Sequence, residues 1–244
     1  MQSLLKQNVG GMLVLAALIT LSAPCGQTVL ADTQTVAHVT RCDLFSHGIT
    51  IGHGRIIRTP MIRDGKSCMK VRLIIESKVH LLLYKLDLKL DEVWVTDTSG
   101  LIAYTLESIE NGQRKTITGE LKNEIFQFEI MEAGKKSVWT TPRTAFDLAS
   151  ISQPEPTLAE GDTKKVRVLD PSTCTIAERS YRGTGRKSLT VGKHQIMCDT
   201  VTVECPGTHI RRWYIADKFG PLILREDGSQ RLNTYSRCAV SVEQ

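Results

Sequence analysis

From Val36 onward, apolar and polar residues alternate in short runs, and turn dipeptides separate one run from the next. The cleanest stretch is Leu86-Asp87-Leu88-Lys89-Leu90, apolar at even positions and charged at odd ones. Side chains of a strand point alternately to its two faces, so this pattern marks a strand with one face in a core and the other in water. Runs of this kind cover 36–45, 49–58, 71–75, 81–90, 92–96, 101–109, 115–122 and 125–130. A second series covers 165–169, 175–182, 187–191, 194–205, 209–216, 222–226 and 231–238. Ser46-His47-Gly48, Asp64-Gly65, Ser99-Gly100 and Asn111-Gly112 turn the first series. Gly183-Thr184-Gly185, Gly192-Lys193, Pro206-Gly207, Asp217 to Gly220 and Asp227-Gly228 turn the second. Gly52 and Gly54 mark a bulge or a close backbone approach. The consecutive leucines at 81–83 either bury both faces of their strand or mark a bulge that shifts its phase by one.

The rhythm breaks once, over 140–161, which holds Pro142, Pro154 and Pro156 and ends among the acids Glu155, Glu160 and Asp162. Residues 144–150 have helix formers for a short helix or turn but lack the length to stand alone. Two meanders, 36–139 and 162–238, joined by this crossover predict an all-β chain: a single strongly curved antiparallel sheet, a half-barrel or unclosed barrel. An open sheet must protect its edges, and the crossover is the segment available to do so. A two-domain chain split near Gln153 is the alternative.

Residues 1–31 carry one charge, Lys6, an apolar run over 10–21, Pro24, and small residues ending at Ala31. This is the tripartite pattern of a secretory signal cleaved between Ala31 and Asp32, and the run is too short for a spanning helix. Acylation at Cys25 is disfavoured by Pro24 directly before it. The expected location is the periplasm, with the membrane touched only through the transient signal. Cleavage would leave residues 32–244 as the β-rich domain. With 41% hydrophobic and 23% charged residues the chain is globular, and a formal charge of +5 is too mild for a nucleic-acid binder.

Six cysteines follow Ala31: Cys42, Cys68, Cys174, Cys198, Cys205 and Cys238. An even number in an oxidising compartment predicts disulfides, although Cys198 and Cys205 lie on opposite faces of one strand and cannot pair with each other. No CxxC, phosphate-binding loop, dinucleotide fingerprint, GxSxG, HExxH, SxxK or EF-hand loop is present. No catalytic residue, metal ligand or cofactor is therefore assigned. His47 and His53 could meet only across a tight turn, and an enzyme built on His53, His194 or His209 would require these to converge in space. Basic residues cluster at Arg55, Arg58, Arg63, Lys66, Lys70 and Arg72, and again at Arg179, Arg182, Arg186 and Lys187. They read as solvated strand faces or as contacts for anionic envelope material such as lipid headgroups.

Three segments in order carry a likeness: Phe45 with Gly48-Ile49-Thr50-Ile51-Gly52; Leu90-Asp91-Glu92-Val93-Trp94 with Gly100-Leu101 and Asn111-Gly112; and Arg212-Trp213-Tyr214-Ile215-Ala216-Asp217 with Gly220 and Asp227-Gly228. The pattern resembles a family of bacterial periplasmic β proteins of unknown function. Such proteins look like distant relatives of the periplasmic lipoprotein carriers, whose unclosed barrel covers an apolar cavity. The resemblance implies that fold and no catalytic residues; six cysteines exceed what the pattern requires. The expected function is a non-enzymatic protein that binds or carries a lipid or other apolar ligand, with Leu83, Leu86, Leu88, Trp94 and Trp213 lining the cavity. A structural protein that docks an envelope partner is the alternative. Glu92 shares a face with Trp94, so an inward Glu92 would need a cationic partner, whereas an outward one would be solvated.

Overall fold

The computed structural model describes residues 37–81, 84–149, 157–205, 207–217, 220–230 and 233–243. The proposed export signal at 1–31 and Leu83 lie outside the described residues. The first meander comprises β1 (His38–Ser46), β2 (Ile49–Arg63), β3 (Lys66–Leu81), β4 (Tyr84–Asp97), β5 (Gly100–Glu110), β6 (Gln113–Lys122), β7 (Ile125–Glu132) and β8 (Lys135–Pro142). A single 3-10 turn at Arg143–Ala145 and the two-residue β9 (Leu148–Ala149) follow. The second meander comprises β10 (Thr163–Asp170), β11 (Thr175–Val191), β12 (His194–Cys205), β13 (Thr208–Asp217), β14 (Gly220–Gln230) and β15 (Asn233–Glu243).

These fifteen strands form one sheet in the order β8-β7-β6-β5-β4-β3-β2-β1-β15-β14-β13-β12-β11-β10-β9. The fold is all-β and the sheet stays open, because β8 and β9 are its two edges. The meanders join at the middle, where the first and last strands pair from Val39 opposite Glu243 to Ser46 opposite Tyr235. The first meander thus runs outward from the centre, the crossover carries the chain to the other edge, and the second runs back. Among the described residues every ladder is antiparallel except the short one between β9 and β10.

Tight hairpins set the register of the first meander. His47-Gly48, Asp64-Gly65, Asn111-Gly112, Asn123-Glu124 and Ala133-Gly134 each place both central residues at positive φ. That is the type I′ geometry whose twist matches the strands it joins. Asn111-Gly112 is legible in sequence, but Asn123-Glu124 is not, since glutamate rarely adopts this conformation. Ala133, which leads into β8, is likewise a residue that rarely adopts positive φ, so β8 lacks a clear turn signal before it.

Several expectations are corrected. The 81–90 run is not one strand: β3 ends at Leu81 and β4 begins at Tyr84, and these two residues pair with each other. Gly183-Thr184-Gly185 is a bulge within β11, where the register shifts between Gly183 and Arg186, rather than a turn. Asp227-Gly228 lies inside β14, with Gly228 opposite Tyr235. Residues 144–150 make a 3-10 turn and β9 in place of a helix.

One row of directly opposed residues shows how the inner face is built: Trp94, Tyr104, Gly119, Phe128 and Trp139, from β4 to β8. Gly119 makes room for the Phe128 ring, since a Cβ there would run into the ring carbons. The device recurs at Gly228, where the ring of Tyr235 lies over the strand. The rows feed a large core cluster with Leu101, Leu106, Ile117, Phe126 and Phe128, capped by Phe146 and Ala149 of the crossover. A second cluster gathers Val166, Val168, Tyr181, Val201, Val203, Ile210 and Tyr214 on β10 to β13. The third centres on Trp213, Cys198, Leu222, Leu224 and Ala239, where β11 comes near β15.

No disulfide forms among the described residues: all six cysteines are free thiols. Cys42 and Cys238 come closest in the ladder, yet Cys42 opposes Ala239 while Cys238 opposes Asp43. Adjacent positions point to opposite faces, so the two sulfurs lie on different sides of the sheet.

Candidate functional site

The strand phase that turns Trp94 inward also turns Glu92 inward. Glu92 opposes Leu73 and Leu106, and only 2% of its surface reaches solvent. Its partner is a phenol, not a cation: the Tyr104 hydroxyl donates to Glu92 Oε1 at 2.5 Å. Burial pushes the Glu92 carboxyl up to about 7, and Asp170 adds to the rise. The Tyr104 hydrogen bond and the charge of Arg237 oppose this without reversing it. Burial, and then Glu92 itself, raise the Tyr104 hydroxyl well above its ordinary value. Cys174, in the turn between β10 and β11, is pushed up to about 11, chiefly by burial. Trp94 Nε1 is buried and has no hydrogen-bond partner among the described residues. Orphaned buried donors are rare, so an inward indole N–H beside a carboxyl that titrates near neutrality is a polar anchor inside an aromatic wall.

Farther along the same side, Arg212, Glu226 and Arg237 oppose one another in sequence on β13, β14 and β15. Arg212 Nε donates to Glu226 Oε2 at 2.6 Å, and both side chains are largely buried. Burial, the largest influence on Glu226, raises its carboxyl; the charges of Arg212 and Arg237, the Arg212 hydrogen bond and the charge of Arg179 together hold it below its ordinary value. Tyr235, in the adjacent row, is pushed up to about 12 by burial and by Glu226.

The residues expected to line one cavity are not brought together. Trp94 belongs to the first cluster and Trp213 to the third, where Arg225 stacks 5.0 Å from its ring centroid. Leu86 and Leu88 are half-buried on the side of β4 that carries Trp94, but Leu88 is six residues away, about 20 Å along a strand. Leu88 lines a polar groove of about 470 Å³ with Gly52, His53, Glu76 and Lys89. The histidines are dispersed as well. His53 Nδ1 lies 2.8 Å from Asp43 Oδ1 at the surface, and His47 sits in the turn between β1 and β2. His209 Nδ1 lies 3.8 Å from Glu204, while His194 begins β12. Among the described residues no group of three or more His, Cys, Asp and Glu side chains is placed to hold a metal ion.

Several residues of the two basic stretches are paired, as Arg72 is with Asp91, Arg63 with Glu120 and Arg186 with Asp199. The sequence reading anticipated Glu92 and Trp94 but missed Tyr104, Glu226, Arg237 and the inward turn of Arg179. A charge in the inward phase, as in Ile210-Arg211-Arg212-Trp213-Tyr214, is the signal that identifies Arg212. Comparison of the chain with protein-family models, curated proteins and solved structures found no match.

Proposed function

We propose that this chain is an exported, non-enzymatic envelope protein whose curved sheet holds a ligand with an apolar, acyl-chain-bearing body. The supporting observation is the way the inner aromatic wall is covered. Phe126 stacks on Phe128 at 5.6 Å between centroids, Phe128 meets Trp139 at 5.5 Å, and Tyr104 meets Phe128 edge-on at 6.3 Å. Against this wall lie Phe146, 5.8 Å from Phe126, and Ala149 of the crossover, together with Leu169 and Cys174 at one end of the second meander.

Arg143 N donates to Glu124 O, Arg167 grips Asp147 through exposed hydrogen bonds, and β9 adds a ladder of two residues. Burying one phenylalanine contributes about 2–3 kcal/mol, whereas an acyl chain offers ~0.8 kcal/mol per methylene. About ten methylenes therefore exceed the burial of that one side chain. The orphaned Trp94 N–H and the Glu92 carboxyl, in the same cluster, would take the polar end of the guest.

Organic extracts of the full chain purified without detergent, read by mass spectrometry, are expected to contain an acyl-bearing species near stoichiometric amounts. Phe146→Ala is expected to increase uptake of a fluorescent fatty acid while far-UV circular dichroism stays unchanged. Extracts free of acyl species, together with no fatty-acid uptake by either protein, would overturn the reading.

A further inference from the structure

Around Glu226, among the described residues, the second meander gathers more inward positive charge than this one carboxylate balances. Arg212 and Arg237 flank Glu226 across neighbouring strands, and Arg179 lies two residues before Tyr181, hence on the same side of β11. Arg179 is close enough for its charge to act on Glu226. Three guanidinium groups thus surround one carboxylate, and Arg212 already engages it. Among the described residues, the Arg237 side chain makes no hydrogen bond or ion pair, and the Nε of half-buried Arg179 is shut from solvent without a partner. Besides Glu226, the Glu92 carboxyl also registers the charge of Arg237.

Unmatched guanidinium charge in a partly desolvated site is costly, and a sheet that retains it is complementary to an anion. Each guanidinium presents its N–H donors in a planar fork that fits two oxygens of a tetrahedral oxyanion, a match that lysine lacks.

We propose that Arg179, Arg212 and Arg237 form a binding site for a phosphate-type oxyanion on the inner face of the second meander. The site stands independently of the acyl-chain reading, since it uses different strands. The oxyanion is either free phosphate or a phosphorylated lipid headgroup, and the two have the same recognising chemistry.

Isothermal titration of the full chain with inorganic phosphate and with dihexanoyl phosphatidic acid, in chloride at constant ionic strength, tests it. At least one probe is expected to bind, and Arg179→Gln or Arg237→Gln to weaken binding by about tenfold. Arg72→Gln, on the outer face, is expected to leave it unchanged. Phosphatidic acid binding at least tenfold tighter than phosphate, with phosphate competing, assigns the site to a headgroup; comparable affinities, or phosphate alone, assign it to the free ion. Arg237→Lys preserves the charge, and with it the fold, while removing the fork, and is expected to bind with intermediate affinity. No binding of either probe, or wild-type affinity in Arg237→Lys together with Arg179→Gln, would overturn the proposal.

Discussion

Glu92→Gln is the most informative single change, because it converts a buried group that titrates into one that does not. The Glu92 carboxyl is held at about 7 in the folded chain against an ordinary value of 4.5. An acid whose folded value is raised binds more protons when folded than when unfolded. Its stabilising contribution is complete below 4.5, falls as pH rises, and is gone above about 7. At 1.36 kcal/mol per pH unit the interval corresponds to about 3 kcal/mol, taken as an upper figure. The introduced amide reproduces the shape of the protonated acid, and its oxygen still accepts from the Tyr104 hydroxyl. The variant should therefore match the parent at pH 4 and exceed it at pH 8 by up to about 3 kcal/mol. For a domain of this size that is roughly 6–12 °C in Tm. Thermal melts of both proteins, followed by circular dichroism at half-unit steps from pH 4 to 8.5, give the difference curve, in which titrations distant from Glu92 cancel. A difference that stays flat across this range, or a variant less stable at pH 8, would refute the claim that Glu92 is buried without a countercharge.

Two further expectations concern the packing. Gly119→Ala drives a methyl into the Phe128 ring and should cost about 1–3 kcal/mol in urea unfolding. Phe128→Leu in the same background should recover part of the loss, and a Gly119→Ala protein as stable as the parent would show that the ring does not lie over β6. Titration with a chromogenic disulfide without reductant should find all six thiols after Ala31 in denaturant. In the native protein only the partly exposed Cys205 and Cys238 should react readily, because Cys42, Cys68, Cys174 and Cys198 are buried. Fewer than six thiols in denaturant would reveal a bridge.

Much of the architecture was legible because strands and tight hairpins are local. The alternation over 36–45, the Asn111-Gly112 turn and the length of β12 follow from side-chain alternation and from the few residues that accept positive φ. The break between β3 and β4 was missed because the run 81–90 carries no polar turn signal at its start. Asp227-Gly228 misled for the opposite reason: its turn residues sit inside a strand, where the glycine serves the ring of Tyr235 opposite. Trp94 and Trp213, expected to line one cavity, belong to different clusters, because local alternation does not say which rows of a sheet pack together.

The sequence by itself determined that this chain is all-β, with two meanders around one irregular crossover, and that Glu92 and Trp94 share a face. Those conclusions need only the period of a strand and the preferences of turns. Tertiary structure alone decided that β1 and β15 join the meanders, that Glu92 meets a phenol, and that Arg212, Glu226 and Arg237 stand in one row. It also decided that the cysteines stay apart. Strand order and register between distant segments come from pairing across the whole chain, which local alternation does not encode. The charge balance of the inner face depends on that pairing.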